Sequence, residues 1–251
     1  MKKMLSTLVC GALLATTTLS ADFLRVELGA GMWGQTPSGK MSYTTSGVTA
    51  TDTSDETQDA QPYVWILIKH PVPIIPNLRL EYSNVYNTGK ATGTFKDFSI
   101  PAGQTSKTTL EMTQYDITPY YNILDNTFWI TLDLGLNLKA MNTDYTAKPT
   151  VGFAGYTDSA SVVVPMLYAR TRVQIPTTEL GLEADVKYIS YDGSTLYDAR
   201  AKIDYTLDFI PLIQPALEVG YRVQKVYIDN DDDVKVDFDF AGVYAGLMLR
   251  F

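Results

Sequence analysis

Few side chains in this sequence of 251 residues could carry out chemistry: it has one histidine, His70, and one cysteine, Cys10. A histidine works as a general base only within hydrogen-bond reach of its substrate. His70 instead precedes Pro71-Val72-Pro73-Ile74-Ile75-Pro76-Asn77, a proline-rich run that reads as a tight connection. It is expected to be a turn residue. The acidic run Asp229-Asn230-Asp231-Asp232-Asp233 raises a metal question, since Asp229, Asp231 and Asp233 match the first three ligand positions of a calcium loop. Val234 stands where that loop needs glycine and Phe240 where it needs its closing glutamate. A solvated hairpin tip is expected there, with no metal and no cofactor.

The elements that must position these groups are strands. From Phe128 to Ala140, Phe128, Ile130, Leu132, Leu134, Leu136 and Leu138 alternate with Trp129, Thr131, Asp133, Gly135, Asn137 and Lys139. The stretches 178–188 and 199–209 alternate in the same way, as does the stretch from Leu24 to Trp33. Period two with one apolar face suits a soluble sandwich or a transmembrane barrel, whose apolar face meets lipid and whose polar face meets the lumen. Length favours the barrel: these runs exceed the five or six residues usual in globular strands and match the ~9–11 of a tilted spanning strand. Gly29, Gly31, Gly135, Gly181, Gly220, Gly242 and Gly246 fall on the polar face, as a crowded interior requires. Pro119 and Pro165 lie inside strands and remove ladder donors, so bulges are expected at both.

The N-terminus reads as an export signal. Met1-Lys2-Lys3 leads an apolar run from Met4 to Ala15, closed by Thr16-Thr17-Thr18-Leu19-Ser20-Ala21. Cleavage is expected to remove 1–21, Cys10 included, and to leave a mature barrel of 22–251 without cysteine. Disulfides and thiol catalysis are then excluded. Without Lys2 and Lys3, the chain's 20 basic and 28 acidic residues become 18 against 28, a net charge of −10. So acidic a chain does not suit nucleic acid, whose binding depends on neutralising phosphates.

Connections alternate in kind. Short turns are expected at 71–77, 122–127, 174–177 and 210–215, and polar outer loops at 35–61, 88–108, 142–160, 192–196 and 229–234. Four turns and five loops join ten strands, with both termini periplasmic; the weaker runs at 63–69 and 109–121 leave eight or twelve compatible. The expected fold class is all-β: a closed antiparallel transmembrane β-barrel with short periplasmic turns and longer extracellular loops. The chain closes on Val243-Tyr244-Ala245-Gly246-Leu247-Met248-Leu249-Arg250-Phe251, apolar at every second position back from a terminal aromatic. Leu247, Leu249 and Phe251 resemble the assembly signature of bacterial outer-membrane proteins. With Leu24-Arg25-Val26-Glu27-Leu28-Gly29-Ala30-Gly31 and the turn pattern, the mature chain resembles a family of proteobacterial outer-membrane β-barrel proteins that brings no assigned function with it. The resemblance implies a Gram-negative outer-membrane location. It also implies contact with outer-membrane lipid and lipopolysaccharide, and passage through periplasmic chaperones and the barrel-assembly machinery.

The lumen is where function could reside. In this register the inward basic residues are Arg25, Arg79, Lys139, Arg170, Arg172, Lys187, Arg200, Lys202, Arg222 and Arg250. The inward acidic residues are Glu27, Glu81, Asp116, Asp133, Glu179, Glu183, Asp185, Asp204, Asp208 and Glu218. An ion-selective pore would show an excess of one sign. Balanced charge in a narrow barrel pairs and fills it. A four-residue loop at 192–195 would set Asp185 opposite Lys202, Lys187 opposite Arg200 and Glu183 opposite Asp204, with neighbouring strands compensating the like pairs. A site at the outer leaflet would lie ~25–30 Å from the His70 turn. The expected protein is a non-catalytic barrel with an occluded or very narrow lumen and a structural or surface role. A small-solute channel is the alternative, and an outer-leaflet lipid-modifying or proteolytic enzyme the third.

Overall fold

The computed structural model describes residues 24–45, 48–72, 74–95, 98–149, 155–207, 213–229 and 234–251. The expected signal segment, the acidic run after Asp229 and Asp208 lie outside them. Eleven strands follow one another: β1 (Arg25–Thr45), β2 (Val48–Ser54), β3 (Asp59–Lys69), β4 (Asn77–Thr92), β5 (Ser106–Thr127), β6 (Ile130–Pro149), β7 (Tyr156–Gln174), β8 (Leu180–Tyr191), β9 (Ser194–Thr206), β10 (Gln214–Asp229) and β11 (Val234–Arg250). Each pairs antiparallel with its sequence neighbour from β3 to β11. The sheet closes where β11 meets β1, from Glu27↔Arg250 to Tyr43↔Val234. Reciprocal bonds extend the seam to the end of the chain, Val26 N–H to the Phe251 carbonyl (3.3 Å) and Phe251 N–H to that of Val26 (2.9 Å).

β2 and β3 make one stave of the wall. Both lie between β1 and β4, β2 against Gly89–Thr92 and β3 against Leu78–Ser83. The break between them would leave β4 backbone groups unpaired. Gln35 fills it: its amide donates to the Asn84 carbonyl (2.7 Å) and accepts from Tyr86 N–H (3.2 Å). Asp55 N–H reaches the Thr88 carbonyl at 2.8 Å. The closed barrel therefore has ten staves.

The strands are longer than the sequence pattern indicated. Expected loops at 35–61 and 142–160 are largely strand, since β1 runs to Thr45 and β6 to Pro149, and the one at 88–108 is shortened at both ends by β4, which runs to Thr92, and β5, which begins at Ser106. β5, one of the weaker runs, is 22 residues long. At the other end, Phe128 and Trp129 are not the start of a strand. Both have positive φ (52° and 66°) and form the exposed turn between β5 and β6.

The expected proline bulges are absent. Pro119 stays in register with Leu78, and β5–β6 pairing resumes beyond it with the register of Ile117↔Leu138. The irregularity falls at Asn122 and Leu124, near the β5–β6 turn. Pro165 faces Leu138 without a shift and sits just beyond Leu167, where pairing with β8 ends. Each proline is accommodated by an interrupted ladder rather than an extra residue.

The expected loop at 192–195 is instead a two-residue turn. Asp192 (φ 47°) and Gly193 (φ 74°) take the left-handed conformation that matches strand twist, and Tyr191 faces Ser194. Pairing slides by two residues, which keeps every side chain on its face and changes its partner. Asp185 meets Arg200, Glu183 meets Lys202 and Lys187 meets Asp198. The like-charged pairs become opposite-charged ones.

Outward side chains sort by height. In the lower part they are Leu134, Leu136, Leu138, Val219, Val243 and Leu247, all exposed, as a lipid-facing belt demands. Tyr121, Phe128, Trp129, Tyr205 and Phe251 flank it below, and Tyr115 and Tyr188 above. In the upper part the outward positions are polar. Lys225 bridges Asp237 (2.8 Å) and Asp239 (2.9 Å), and Lys235 pairs with Asp229 at 3.0 Å.

Candidate functional site

The interior inverts with the exterior. Below, it is charged: nine basic residues (Arg79, Lys139, Arg170, Arg172, Lys187, Arg200, Lys202, Arg222, Arg250) and nine acidic ones (Glu27, Glu81, Asp116, Asp133, Glu183, Asp185, Asp198, Asp204, Glu218) are buried. Glu81 on β4 accepts from Arg200 on β9 at 2.9 Å, although these staves stand opposite each other across the barrel. Lys187 and Arg222 also reach Glu81, both at 3.3 Å. Lys139 bridges Asp116 (2.9 Å) and Asp198 (3.1 Å), and Arg222 closes on Asp198 at 2.6 Å.

Nearer the end of the barrel that carries the β5–β6 turn, Arg170 links Asp133 (2.6 Å) to Glu183 (2.7 Å). Asp204 takes Arg172 and Arg250. Glu218 accepts from Lys202 (2.8 Å), Tyr63 hydroxyl (2.7 Å) and Trp65 indole N–H (3.3 Å), which ties β3 to β9 and β10. Lys202 and Arg79 lie over the Trp65 ring at 4.6 and 4.7 Å. Gly29 makes room for that indole: a Cβ there would stand 2.3 Å from the ring. Below Arg170 and Arg172 the remaining space is about 20 Å³, close to the minimum for one water.

Glu81, Asp116 and Asp198 bring one carboxylate oxygen each within 4.8 Å of one another, as metal ligands would. Lys139, Lys187, Arg200 and Arg222 already neutralise those oxygens, so a divalent ion would have to displace ammonium and guanidinium groups. The cluster fits an ion-pair network and not a metal centre.

Above this charged zone the interior turns largely apolar. The border passes through Gln35, Gln114, Lys139, Lys187, Asp198 and Gln224, all fully buried. Gln224 has neither amide atom partnered. Over it lies a cavity of about 390 Å³ lined by Met41, Tyr43, Phe95, Phe98, Leu110, Met112, Tyr145, Tyr156, Val226, Ile228, Val234, Val236, Phe238 and Phe240, with polar atoms from Ser42, Thr143, Asp158 and the three tyrosine hydroxyls. The β4–β5 connection folds over it. Phe98 stacks between Phe95 and Tyr156, each at 4.7 Å, and Phe95 packs with Ile100, Ala50 and Ala91. Asp52, on β2 above the belt, accepts from Thr108 (2.8 Å) and Tyr145 (2.9 Å). Burial pushes its carboxyl above the ordinary range, against the lowering effect of those two donors.

No protein-family model and no curated protein matches the sequence. Among solved structures, the outer membrane protease OmpT from Escherichia coli matches with a TM-score of 0.58 at 11% identity, over 94% of this chain and 99% of that one. The translocator domain of the autotransporter NalP from Neisseria meningitidis matches at 0.45 and 12% identity, over 100% and 96%. The chain has the fold of an outer-membrane β-barrel.

Most sequence-predicted lumen charges converge: Glu27, Asp133, Lys139, Arg170, Arg172, Glu183, Asp185, Lys187, Arg200, Lys202, Asp204, Glu218 and Arg222 are all buried inside. Arg25 sits at the rim, its side chain 42% exposed, and pairs with Glu27. Glu179 is not inward, since it lies exposed in the β7–β8 turn. Asp198 was missed, because the expected loop at 192–196 delayed the start of its strand. Leu247 and Leu249 face lipid, and Phe251 ends the closing seam. His70 braces the β3–β4 turn: Nδ1 accepts from Val72 N–H (3.1 Å), Nε2 bonds the Pro76 carbonyl (3.0 Å), and its N–H donates to Asn77 (3.0 Å). The apolar cup that this cavity forms above the charged zone was not foreseen.

Proposed function

We propose that this chain is a closed, non-catalytic outer-membrane barrel whose lumen does not conduct, and whose working surface is its extracellular end. The contact between Glu81 and Arg200 carries this reading, because side chains on opposite walls can share a 2.9 Å bond only where the lumen is filled. The balance of nine cations with nine anions supports it further, as neither sign is left over to attract a permeating ion. The engagement of both His70 ring nitrogens within a turn at the far end supports a non-catalytic role. On this reading the partners are outer-membrane lipid and lipopolysaccharide around the belt, with periplasmic chaperones and the barrel-assembly machinery during biogenesis. The test is conductance of the refolded protein in a planar bilayer. Wild type is expected to show no steady current. Replacing Glu81, Lys139 and Asp198 together with alanine is expected to open measurable steps. Ohmic conductance of the wild type would overturn the proposal in favour of a small-solute channel.

A further inference from the structure

We propose that the apolar cup above the plug is a binding site for a small, neutral, aromatic molecule taken from the outside. Several observations meet there. The cavity, about 390 Å³, falls within the range of small-molecule sites and is lined mainly by carbon and thioether sulfur. It occurs where the wall stands above the lipid belt and its outward side chains are charged, so the inward apolar surface meets no lipid, and Met112, Val226, Phe238 and Phe240 pack together in its wall. Water against such a surface is unfavourable, and an apolar occupant removes it.

The lining itself selects the chemistry. Phe98, Tyr156, Tyr145, Phe238 and Phe240 offer ring faces and edges, and the Phe95–Phe98–Tyr156 stack shows the spacing at which flat rings pack there. Charge is nearly absent from the lining. Asp158 contributes the one carboxylate, and Asp52, behind Tyr145, is satisfied by two hydroxyl donors. An anionic ligand would find no cation, whereas a ring system with a hydroxyl or amine donor would place it at Asp158 or Thr143. The floor fixes the direction of entry, since the border ring and the plug beneath leave only the extracellular side. The inference rests on the closed-lumen reading for that floor alone.

Methionine methyl groups give a site-resolved test. Met41 and Met112 line the cup, Met32 faces lipid, and Met248 is buried among the lower staves. The full mature chain, labelled with carbon-13 at methionine methyls and held in phospholipid nanodiscs, is titrated with the neutral probe N-phenyl-naphthylamine. Saturable shifts of Met41 and Met112, with Met32 and Met248 unmoved, are expected. Phe98→Ala, in a connection outside the barrel wall, is expected to weaken the probe about tenfold while the unboiled protein keeps its compact gel migration. Shifts confined to Met32, no shifts, or an affinity indifferent to Phe98→Ala would overturn the proposal. So would movement of Met41 and Met112 on adding lipopolysaccharide without probe, which would make the occupant a lipid chain. Conductance of the same preparation separates the two readings: a conducting barrel that binds the probe sinks only the closed lumen, and a silent barrel that does not bind it sinks only the site.

Discussion

Asp198 on β9 ties two neighbouring regions of the buried network together, since Lys139 from β6 and Arg222 from β10 both end on it. All three are fully buried, and a buried charge without its partner is costly. Removing the carboxylate therefore costs more than a lost contact, because it leaves the buried network one anion short, with Lys139 held by Asp116 and Arg222 by Glu81. Asp198→Ala is expected to lower unfolding stability by about 3–5 kcal/mol, read as a lower urea midpoint for loss of the compact gel form. Gln224→Ala, beside it and unpartnered, is expected to cost far less. Equal losses would show that the network does not hold Asp198 in place.

At the scale of the element, the β8–β9 hairpin shows how a turn of two residues decides chemistry several residues away. Positive φ at Asp192 and Gly193 sets Tyr191 against Ser194, and from there each interior charge on β8 meets its opposite on β9. A loop two residues longer would have kept the faces and paired Lys187 with Arg200. The register can be read chemically, because the expected mature chain has no cysteine of its own. Val186 and Ala199 are directly opposed on the outer face, at a Cα separation of about 4.5–5.5 Å that a disulfide can bridge. Val186→Cys with Ala199→Cys is expected to oxidise nearly completely, measured as loss of free thiols by mass. Val186→Cys with Ala201→Cys, the pairing of the longer loop, is expected to stay reduced. The reverse outcome would restore the longer loop and its like-charged pairs.

The whole molecule is two barrels end to end on one set of strands, with opposite polarity. In the lower one the outside is apolar and the inside charged; in the upper one the outside is polar and the inside apolar around the cavity, with Asp52, Ser54, Asn87 and Thr108 buried on β2, β4 and β5. The phase of β11 switches between Phe240 and Ala241: Val234, Val236, Phe238 and Phe240 point in, and Ala241, Val243, Ala245, Leu247 and Leu249 point out. No register shift accompanies the switch, so the environment changes around an unbroken strand. Substitution on the outer face should therefore depend on height. Leu136→Arg, in the belt, is expected to cost about 2–4 kcal/mol in lipid. Asp144→Arg, four outward positions higher on β6, is expected to cost under about 1 kcal/mol. Similar penalties at both heights, measured by urea unfolding in bilayers, would mean that the belt is misplaced.

The closed barrel, its ten staves and the inward placement of Arg170, Lys187, Arg200, Lys202 and Asp204 were legible in the sequence, because period-two alternation records which side of a wall each residue faces. The alternation also recorded the cup: Lys235, Asp237 and Asp239 alternate with Val236, Phe238 and Phe240, in the phase opposite to the strand's end. Taking every polar alternation as a loop concealed it. Which charges meet was not legible, since a shift of two residues leaves the pattern unchanged and only the φ angles at Asp192 and Gly193 distinguish the registers. Nor could the sequence show that Glu81 reaches Arg200. That contact depends on the diameter of the closed barrel and on the tilt that brings opposite walls to one height, and both arise only when β11 closes on β1.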